Sequence, residues 1–316
     1  MHSSTYEQMG GELLVRKVAI GSFSAYRFRM SGVGKQSDHG FNGDTVICLH
    51  GFPDTIHSFR HQVPALTKAG YQVIVPVMRG YEPSSVQPDK QYFLNQLAQD
   101  IVDWMDWLEL PKAHIVGHDW GAATAWIMTA LAPDRVKSLT SIAIPPIARL
   151  QQAVPAVPSQ LAYSWYMGFF QLTGFSDWMV EAQDWQFIRY LWNKWSPDFE
   201  NNDAYVAEVI EALSAPGVKR AALRYYRCLA LVRNPHWKES QRLLKALVSG
   251  DKITVPVQII YGINDGCMSE EIFNVAIKPG DYKAGIVVHP VEGAGHFVQL
   301  EKPVVVSRLL TEFLSG

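Results

Sequence analysis

Residues 114–122 read His-Ile-Val-Gly-His-Asp-Trp-Gly-Ala, and this stretch decides the fold. The apolar run His114–Val116 leads into Gly117-His-Asp-Trp-Gly121, and a helical pattern follows directly over Trp120–Leu131. This is the Gly-x-nucleophile-x-Gly pattern of a sharp turn between a strand and a helix, with Asp119 in the nucleophile position. The two glycines suit a turn whose central residue has a strained backbone. We therefore predict a reactive carboxylate at the carboxyl end of a buried strand.

Short apolar runs alternate with longer helical patterns around this turn. The later runs are continuous and β-branched, as in parallel strands that are buried on both faces. The predicted helices are Tyr92–Leu110, Trp120–Leu131 and Val304–Leu314, and the predicted fold is α/β, with a mostly parallel, doubly wound sheet. The predicted strands are Val18–Ile20, Tyr26–Met30, Thr45–Leu49, Gln72–Val77, His114–Val116, Leu139–Ile144, Val257–Tyr261 and Ile286–Val288.

The alternation breaks in the middle of the chain. Residues 147–250 hold six of the ten tryptophans and follow a helical or irregular pattern. We interpret this segment as a helical lid inserted between two strands, with residues 1–146 and 251–316 forming the core. The lid would lie over the carboxyl ends of the strands, where open α/β folds bind ligands. Its tryptophans are expected to wall an apolar pocket.

Composition excludes several classes of protein. The 316 residues include 28 Lys+Arg and 30 Asp+Glu, a net charge of −2, which gives no electrostatic reason to expect nucleic acid or an anionic membrane as partner. No apolar stretch approaches the 18–20 residues or so of a transmembrane helix, and no signal-peptide pattern is present. We expect a cytoplasmic protein. Cys48, Cys228 and Cys267 are widely spaced, so we expect reduced thiols and no metal site.

A second segment fits the same fold. The strand Thr45–Leu49 is followed by His50-Gly-Phe-Pro53, which resembles an oxyanion loop. The backbone N–H groups of Phe52 and Trp120 would then point at a developing oxyanion, and one such donor is typically worth about 10²–10³ in rate. We expect His50 to support this loop.

A nucleophile of this kind is followed along the chain by an acid and then a histidine. Near the carboxyl terminus, Gly293-Ala-Gly-His296 follows the last predicted strand, which makes His296 the candidate base. Asp265 follows the strand Val257–Tyr261 and is the candidate acid. The segment 140–147 contains no carboxylate, which removes the other place for the acid. His118 lies in the turn but should point away from the pocket.

An aspartate nucleophile favours attack at an sp³ carbon that bears a leaving group. The product is an ester on Asp119, which water activated by His296 can hydrolyse while Asp265 orients the imidazole. Epoxides and alkyl halides both fit. A halide needs N–H donors, commonly the indole after the nucleophile plus a second Trp or Asn; Trp120 satisfies the first, but Phe52 stands where Asn would be. An epoxide oxygen needs a proton donor, such as a lid tyrosine.

These residues resemble the α/β-hydrolase-fold epoxide hydrolases of the soluble type, over about residues 46–315. The resemblance rests on His50-Gly-Phe-Pro53, Met78-Arg-Gly-Tyr81, Gly117-His-Asp-Trp-Gly121 and Gly293-Ala-Gly-His296. It implies a small hydrophobic epoxide and water as reactants, with no cofactor, and it leaves a homodimer open.

The resemblance also implies further site residues. In this family two lid tyrosines activate the epoxide oxygen. Tyr166-Met-Gly-Phe-Phe-Gln171 and Arg224-Tyr-Tyr-Arg227 nominate Tyr166 and Tyr226, with Tyr163 as the substitute for Tyr166. Tyr225, one residue off, would face elsewhere. The expected substrate pocket comprises Phe52, Pro53, Trp120 and Phe297.

Three alternatives stay open at this point. A haloalkane dehalogenase would share Asp119, Asp265 and His296 and use Trp120 as a halide donor. A non-catalytic hydrolase-fold binding protein usually goes with a broken triad, whereas all three positions are filled here. A serine esterase lacks its nucleophile, because no serine occupies an elbow.

Overall fold

The computed structural model describes residues 5–19, 21–29, 43–88, 91–248 and 253–316. Within them, eight strands form one sheet in the order β1-β2-β4-β3-β5-β6-β7-β8. β2 pairs antiparallel with both of its neighbours, β1 and β4, and all other neighbouring strands pair parallel. The strands are β1 Glu12–Val18, β2 Gly21–Phe28, β3 Thr45–Leu49, β4 Gln72–Pro76, β5 Ala113–His118, β6 Val136–Ile142, β7 Val257–Gly262 and β8 Ile286–Val291.

Alternate residues of the central strands face two separate cores. On β5, Ile115 packs into the core that includes α3 and α4, while Val116 packs into the core that includes α2 and α14. This two-sided burial explains why the central strands are continuous apolar runs. The helices are α1 Thr5–Gln8, α2 Gln62–Lys68, α3 Leu94–Trp107, α4 Trp120–Leu131, α5 Ile147–Ala153, α6 Ser159–Tyr163, α7 Trp165–Phe169, α8 Phe175–Trp195, α9 Asp203–Ser214, α10 Val218–Leu229, α11 Pro235–Val248, α12 Glu270–Ala276, α13 Val298–Glu301 and α14 Pro303–Ser315.

The chain between β6 and β7 is helical, from α5 to α11. The last of these helices, α11, packs against α3 and α4 as well as against α5. The division into a core and a lid stays a prediction, and its proposed boundary at residues 250 and 251 lies outside the described residues.

One helix of this segment, α8, is interrupted. In α8 the backbone leaves the helical region at Ala182, and the next three residues, Gln183, Asp184 and Trp185, have left-handed dihedral angles with φ between 52° and 61°. This conformation is unfavourable for residues with a Cβ atom. It splits α8 into two helices at a sharp kink.

The edge strands differ most from the sequence prediction. The predicted strand Val18–Ile20 was wrong in position, because β1 occupies Glu12–Val18. The sequence pattern did not indicate β1 because the strand contains charged residues. It is an edge strand that pairs on one side, so it lacks a continuous apolar run. Ile20 and Met30, two predicted strand ends, lie outside the described residues. The parallel strands and the three predicted helices are all present, with ends shifted by a few residues.

No helix in the described part of the chain is both long enough and apolar enough to cross a membrane.

Candidate active site

Asp119 occupies the turn between β5 and α4, as predicted, with φ 52° and ψ −119°. This strained backbone is possible because two glycines allow close packing around it. A Cβ atom on Gly117 would lie 2.4 Å from the carbonyl oxygen of Gly121, and one on Gly121 would lie 2.1 Å from that of Leu49. The turn therefore requires both glycines. It leaves Asp119 5% exposed, at the carboxyl end of a central strand.

The loop after β3 holds this carboxylate. The N–H of Phe52 donates a hydrogen bond to Oδ1 of Asp119 at 2.7 Å. The preceding Gly51 makes the approach possible, since a Cβ atom there would lie 2.5 Å from the same oxygen. The second predicted donor, the N–H of Trp120, begins α4, where the first N–H groups have no partner within a helix.

His296 lies between two carboxylates. Its Nδ1 is 2.9 Å from Oδ2 of Asp265, and its Nε2 is 3.6 Å from Oδ2 of Asp119. The other oxygen of Asp265, Oδ1, accepts hydrogen bonds from the backbone N–H groups of Cys267, at 2.6 Å, and Met268, at 3.0 Å. The loop after β7 thereby fixes the carboxylate that orients the imidazole. The structure thus brings the three predicted residues together.

The two carboxylates control the charge of the imidazole. Burial alone would lower the pKa of His296, but the negative charges of Asp265 and Asp119 and the hydrogen bond to Asp265 outweigh it and raise the pKa to about 10. At neutral pH the resting imidazole therefore carries a proton on each nitrogen.

The other histidines near the turn have structural contacts, as predicted. His118 points away from the cavity: its Nε2 lies 3.0 Å from the carbonyl oxygen of His296, and its Nδ1 faces the Asp54 carboxylate at 3.3 Å. His50 supports its loop, since its Nε2 accepts a 3.1 Å hydrogen bond from the N–H of Met78. Burial lowers the pKa of His50 to about 4, which keeps that nitrogen free to accept.

Tyr166 and Tyr226 both line one cavity with Asp119. Their ring centroids are 5.6 Å apart and nearly perpendicular. The Oη of Tyr166 lies 3.3 Å from Sγ of Cys267, whereas the buried Oη of Tyr226 has no hydrogen-bond partner among the described residues. The Trp120 indole packs at nearly a right angle to the Tyr226 ring, with centroids 5.1 Å apart, and limits the rise of the Tyr226 pKa.

The protonation of these two hydroxyls follows from their surroundings. Burial raises the pKa of Tyr166 and of Tyr226 well above the usual value, and the negative charge of Asp119 raises both further. Each hydroxyl therefore keeps its proton at neutral pH and can donate it.

Tyr225 departs in part from its prediction. Its ring lines the cavity, contrary to the expectation that it faces elsewhere. Its hydroxyl, however, is committed, because it donates a 2.7 Å hydrogen bond to the carbonyl oxygen of Arg79. Of the two neighbouring tyrosines, only Tyr226 has a hydroxyl that is unpaired within the described residues.

The cavity has a volume of about 370 Å³ and mostly apolar walls. Of the four predicted pocket residues it includes Trp120 alone. Phe52, Pro53 and Phe297 were predicted wrongly, because they pack elsewhere: Phe297 stacks on Trp192 at 3.8 Å, the Pro53 carbonyl accepts from the Trp192 indole, and the Phe52 ring packs against Tyr226.

The lid tryptophans were also expected to wall the pocket. Only Trp237 of the six does so. Trp192 and Trp195 are instead buried in packing, and Trp165 and Trp178 are 41% and 59% exposed. An excess of aromatic residues in the sequence does not indicate which tryptophans line a cavity, which are buried in packing and which are exposed.

Sequence reasoning missed Cys267 as a pocket residue. Its Sγ lines the cavity and contacts Tyr166. One ligand atom each from Cys267, Asp265 and His296 lie within 4.8 Å of one another, and all three residue types can bind zinc. Two of them already pair with each other at 2.9 Å. The position of Cys267, two residues after Asp265, was the signal in the sequence that could have placed it in the pocket. The absence of a metal stays a prediction.

The fold and the triad-like site define a hydrolase of the α/β class. Residues 44–303 match the family model described as alpha/beta hydrolase fold, so the chain belongs to this family. Among its relatives, epoxide hydrolase A of Mycobacterium tuberculosis is 30% identical over 304 residues, covering 86% of this chain and 90% of that protein. The AB hydrolase superfamily protein YfhM of Bacillus subtilis is 29% identical over 282 residues, covering 87% and 91%.

The fold itself has close counterparts among solved structures. The crystal structure of epoxide hydrolase A from Mycobacterium thermoresistibile matches with a TM-score of 0.74 and 24% identity, covering 97% of this chain and 98% of that one. The resemblance to epoxide hydrolases inferred from the sequence motifs is confirmed.

Proposed function

We propose that this protein is an epoxide hydrolase that opens an epoxide to a vicinal diol through an ester on Asp119. One observation carries the proposal: the Asp119 carboxylate and the hydroxyls of Tyr166 and Tyr226 belong to residues that line one apolar cavity. A nucleophile and two proton-bearing donors are what an epoxide ring needs, because an alkoxide is a poor leaving group. Relatives named epoxide hydrolases support the same reading.

The first step is attack by Asp119 on a ring carbon. The Phe52 N–H holds Oδ1, so Oδ2 is the oxygen that forms the new C–O bond. The bond between that carbon and the epoxide oxygen breaks, and one tyrosine hydroxyl transfers its proton to this oxygen while the other donates a hydrogen bond. The unpaired hydroxyl of Tyr226 is the better placed for proton transfer.

The second step is hydrolysis of the ester. Esterification removes the negative charge of Asp119, which is one of the two charges that hold the pKa of His296 at about 10. His296 can then pass its Nε2 proton to the tyrosinate left by the first step, which restores the tyrosine, and as a neutral base it accepts a proton from the water that attacks Cγ of Asp119. Collapse of the tetrahedral intermediate breaks the ester bond, and the released alkoxide takes the proton of the new carboxyl group, so the diol leaves and Asp119 is again a carboxylate. The N–H groups of Phe52 and Trp120 would stabilise the oxyanion that forms, and Asp265 would stabilise the imidazolium.

The dehalogenase alternative lacks a second halide donor. The cavity contains two indoles, those of Trp120 and Trp237, within the described residues. The Nε1 of Trp237 already donates a 3.0 Å hydrogen bond to the carbonyl oxygen of Leu229. A single free indole favours the epoxide over the halide.

The experiment is intact mass spectrometry of His296→Gln incubated with styrene oxide. We expect an adduct of the full substrate mass, since the ester forms but is not hydrolysed. Asp119→Asn is the matched control and should show no adduct. Diol formation from the epoxide is compared in the wild type with bromide release from 1-bromohexane. Bromide release without diol would make the protein a dehalogenase, and the absence of both would favour a binding protein.

We propose a cytoplasmic location and a small hydrophobic epoxide with water as reactants. A homodimer stays a prediction.

A further inference from the structure

The charge of the cavity wall is the first relevant feature. Among the described residues that line the cavity, Asp119 alone has a charged side chain. The other polar groups are neutral hydroxyls, thiols and amides. A carboxylate drawn into this space would find no cation and would be repelled by Asp119. Burying an unpaired charge in apolar surroundings is strongly unfavourable.

The end of the cavity away from Asp119 is the second relevant feature. Asp119 is buried, whereas Leu161, which lines the same cavity, is 64% exposed. Two amide side chains also line the cavity, and Nε2 of Gln151 donates a 3.3 Å hydrogen bond to Oε1 of Gln241. We call Gln151 and Gln241 the amide rim. The cavity therefore runs from the buried Asp119 to a side on which the lining residues Leu161, Gln151 and Gln241 of α6, α5 and α11 meet solvent.

The cations along α5 and α11 lie outside the cavity, and Lys238 and Lys245 of α11 are exposed. Arg149 binds the Asp281 carboxylate through Nε at 2.7 Å, and Arg242 binds Glu239 at 2.6 Å. Neither arginine lines the cavity. The described cavity wall therefore offers a substrate carboxylate no cation.

We propose that the substrates are neutral epoxides on an extended apolar chain, which reaches from Asp119 to the amide rim, and that epoxides ending in a carboxylate are discriminated against. This inference rests on the proposed function. A volume of about 370 Å³ lies in the range of sites for drug-sized molecules. A very small epoxide leaves most of the apolar wall uncovered. A neutral ester or hydroxyl at the chain end can exchange hydrogen bonds with the rim amides.

The test compares two matched pairs of substrates by kcat/KM. The first pair is 1,2-epoxydecane and 1,2-epoxypropane; we expect a gain of about fourfold for each methylene that the cavity buries. The second pair is methyl 10,11-epoxyundecanoate and its free acid, below their micelle concentrations. We expect the ester to be preferred by at least about 100-fold, because the acid must desolvate an unpaired charge.

A rim substitution tests where the chain end lies. Gln241→Lys should reduce the preference for ester over acid by about tenfold or more, since an ammonium near the chain end pairs with the carboxylate. Gln241→Met is the matched uncharged control and should leave the preference at or above its wild-type value. The ratio of the two substrates is measured within each variant, so a general loss of activity cancels.

Three results would overturn the inference. The wild type could hydrolyse the acid as well as the ester, or 1,2-epoxypropane as well as 1,2-epoxydecane. Gln241→Lys could also change the ratio no more than Gln241→Met does. A fourth result, no turnover of any epoxide and no adduct on Asp119, would overturn the proposed function itself and this inference with it.

Discussion

The amide nitrogen of Phe52 lies 2.7 Å from Oδ1 of Asp119 and donates a hydrogen bond to it. The two residues follow β3 and β5, which are parallel neighbours in the sheet, so their carboxyl ends meet. In the mechanism proposed for this protein the same N–H orients the nucleophile first and stabilises the oxyanion afterwards. The contact is therefore needed for both steps.

Gly51→Ala should disrupt this contact. The new Cβ atom would lie 2.4 Å from Cβ and 2.5 Å from Oδ1 of Asp119, so the loop or the carboxylate must move. We expect kcat/KM for epoxide opening to fall at least about 100-fold, the usual effect of losing one oxyanion donor. Gly280→Ala is the control, because its Cβ atom meets nothing within 4 Å. A near-normal rate for Gly51→Ala would contradict the assigned role of this loop.

The two tyrosine hydroxyls should contribute to alkylation of Asp119. Loss of a positioned proton donor typically costs about 10²–10⁴ in rate. We expect Tyr226→Phe to slow adduct formation in the His296→Gln background more than Tyr166→Phe does, because Tyr166 shares its hydroxyl with Cys267. The rate is measured by rapid quench and mass spectrometry.

Tyr225→Phe is the matched control for this series. Its hydroxyl bonds to the Arg79 carbonyl, so its removal should cost about 1 kcal/mol of stability and little alkylation rate. An alkylation defect equal to that of Tyr226→Phe would remove the distinction between the two neighbours.

The raised pKa of His296 predicts a pH dependence of stability. Its folded pKa of about 10 lies above the usual 6.5, so the stabilising protonation is complete below pH 6.5 and is lost as pH rises toward 10. The free energy of unfolding should fall by up to about 1.4 kcal/mol per pH unit between pH 6.5 and 8.5. Urea unfolding at four pH values measures it.

Asp119→Asn provides the comparison, because it removes one of the two carboxylates that raise the pKa of His296. We expect a shallower decline for this variant. A wild-type stability that is flat or rises across this range would show that the imidazole is neutral in the resting site.

Gln183→Gly should stabilise the protein at the kink in α8. Gln183 is exposed and left-handed, with φ 52° and ψ 49°. Glycine adopts this conformation without the Cβ penalty, so we expect a gain of about 1 kcal/mol and a rise in Tm of roughly 1–2 °C. Gln183→Ala keeps the Cβ atom and should give no gain in a thermal melt. Equal effects of the two substitutions would argue against a strained kink.

The catalytic end of the site was predictable because local chain geometry determines it. Gly117 and Gly121 are required by backbone contacts within the turn itself, and these appear in the sequence as a pattern. The order of Asp119, Asp265 and His296 follows from the parallel order of β5, β7 and β8, since all three residues follow the carboxyl ends of strands. A residue pattern therefore suffices to find them.

The pocket was less predictable because packing between distant helices forms it. Whether a tryptophan faces the cavity depends on its neighbours. Trp192 stacks on Phe297, whereas Trp237 lines the cavity. Leu161 and Gln241 reach the same cavity from helices 80 residues apart in the chain. No local pattern records such contacts. β1 was placed wrongly because its pattern is inverted: Leu13 and Val15 are exposed, whereas Arg16 packs over the rings of Phe23 and Trp104.

The covalent route through Asp119 is tested most directly by a single turnover in H₂¹⁸O with enzyme in excess over an epoxide. Water attacks Cγ of Asp119, so the diol should take its new oxygen from the unlabelled carboxylate. The peptide that contains Asp119 should gain one ¹⁸O. The account predicts unlabelled diol and a labelled peptide in the first turnover. Labelled diol with an unlabelled peptide would contradict it, because water would then have opened the ring itself.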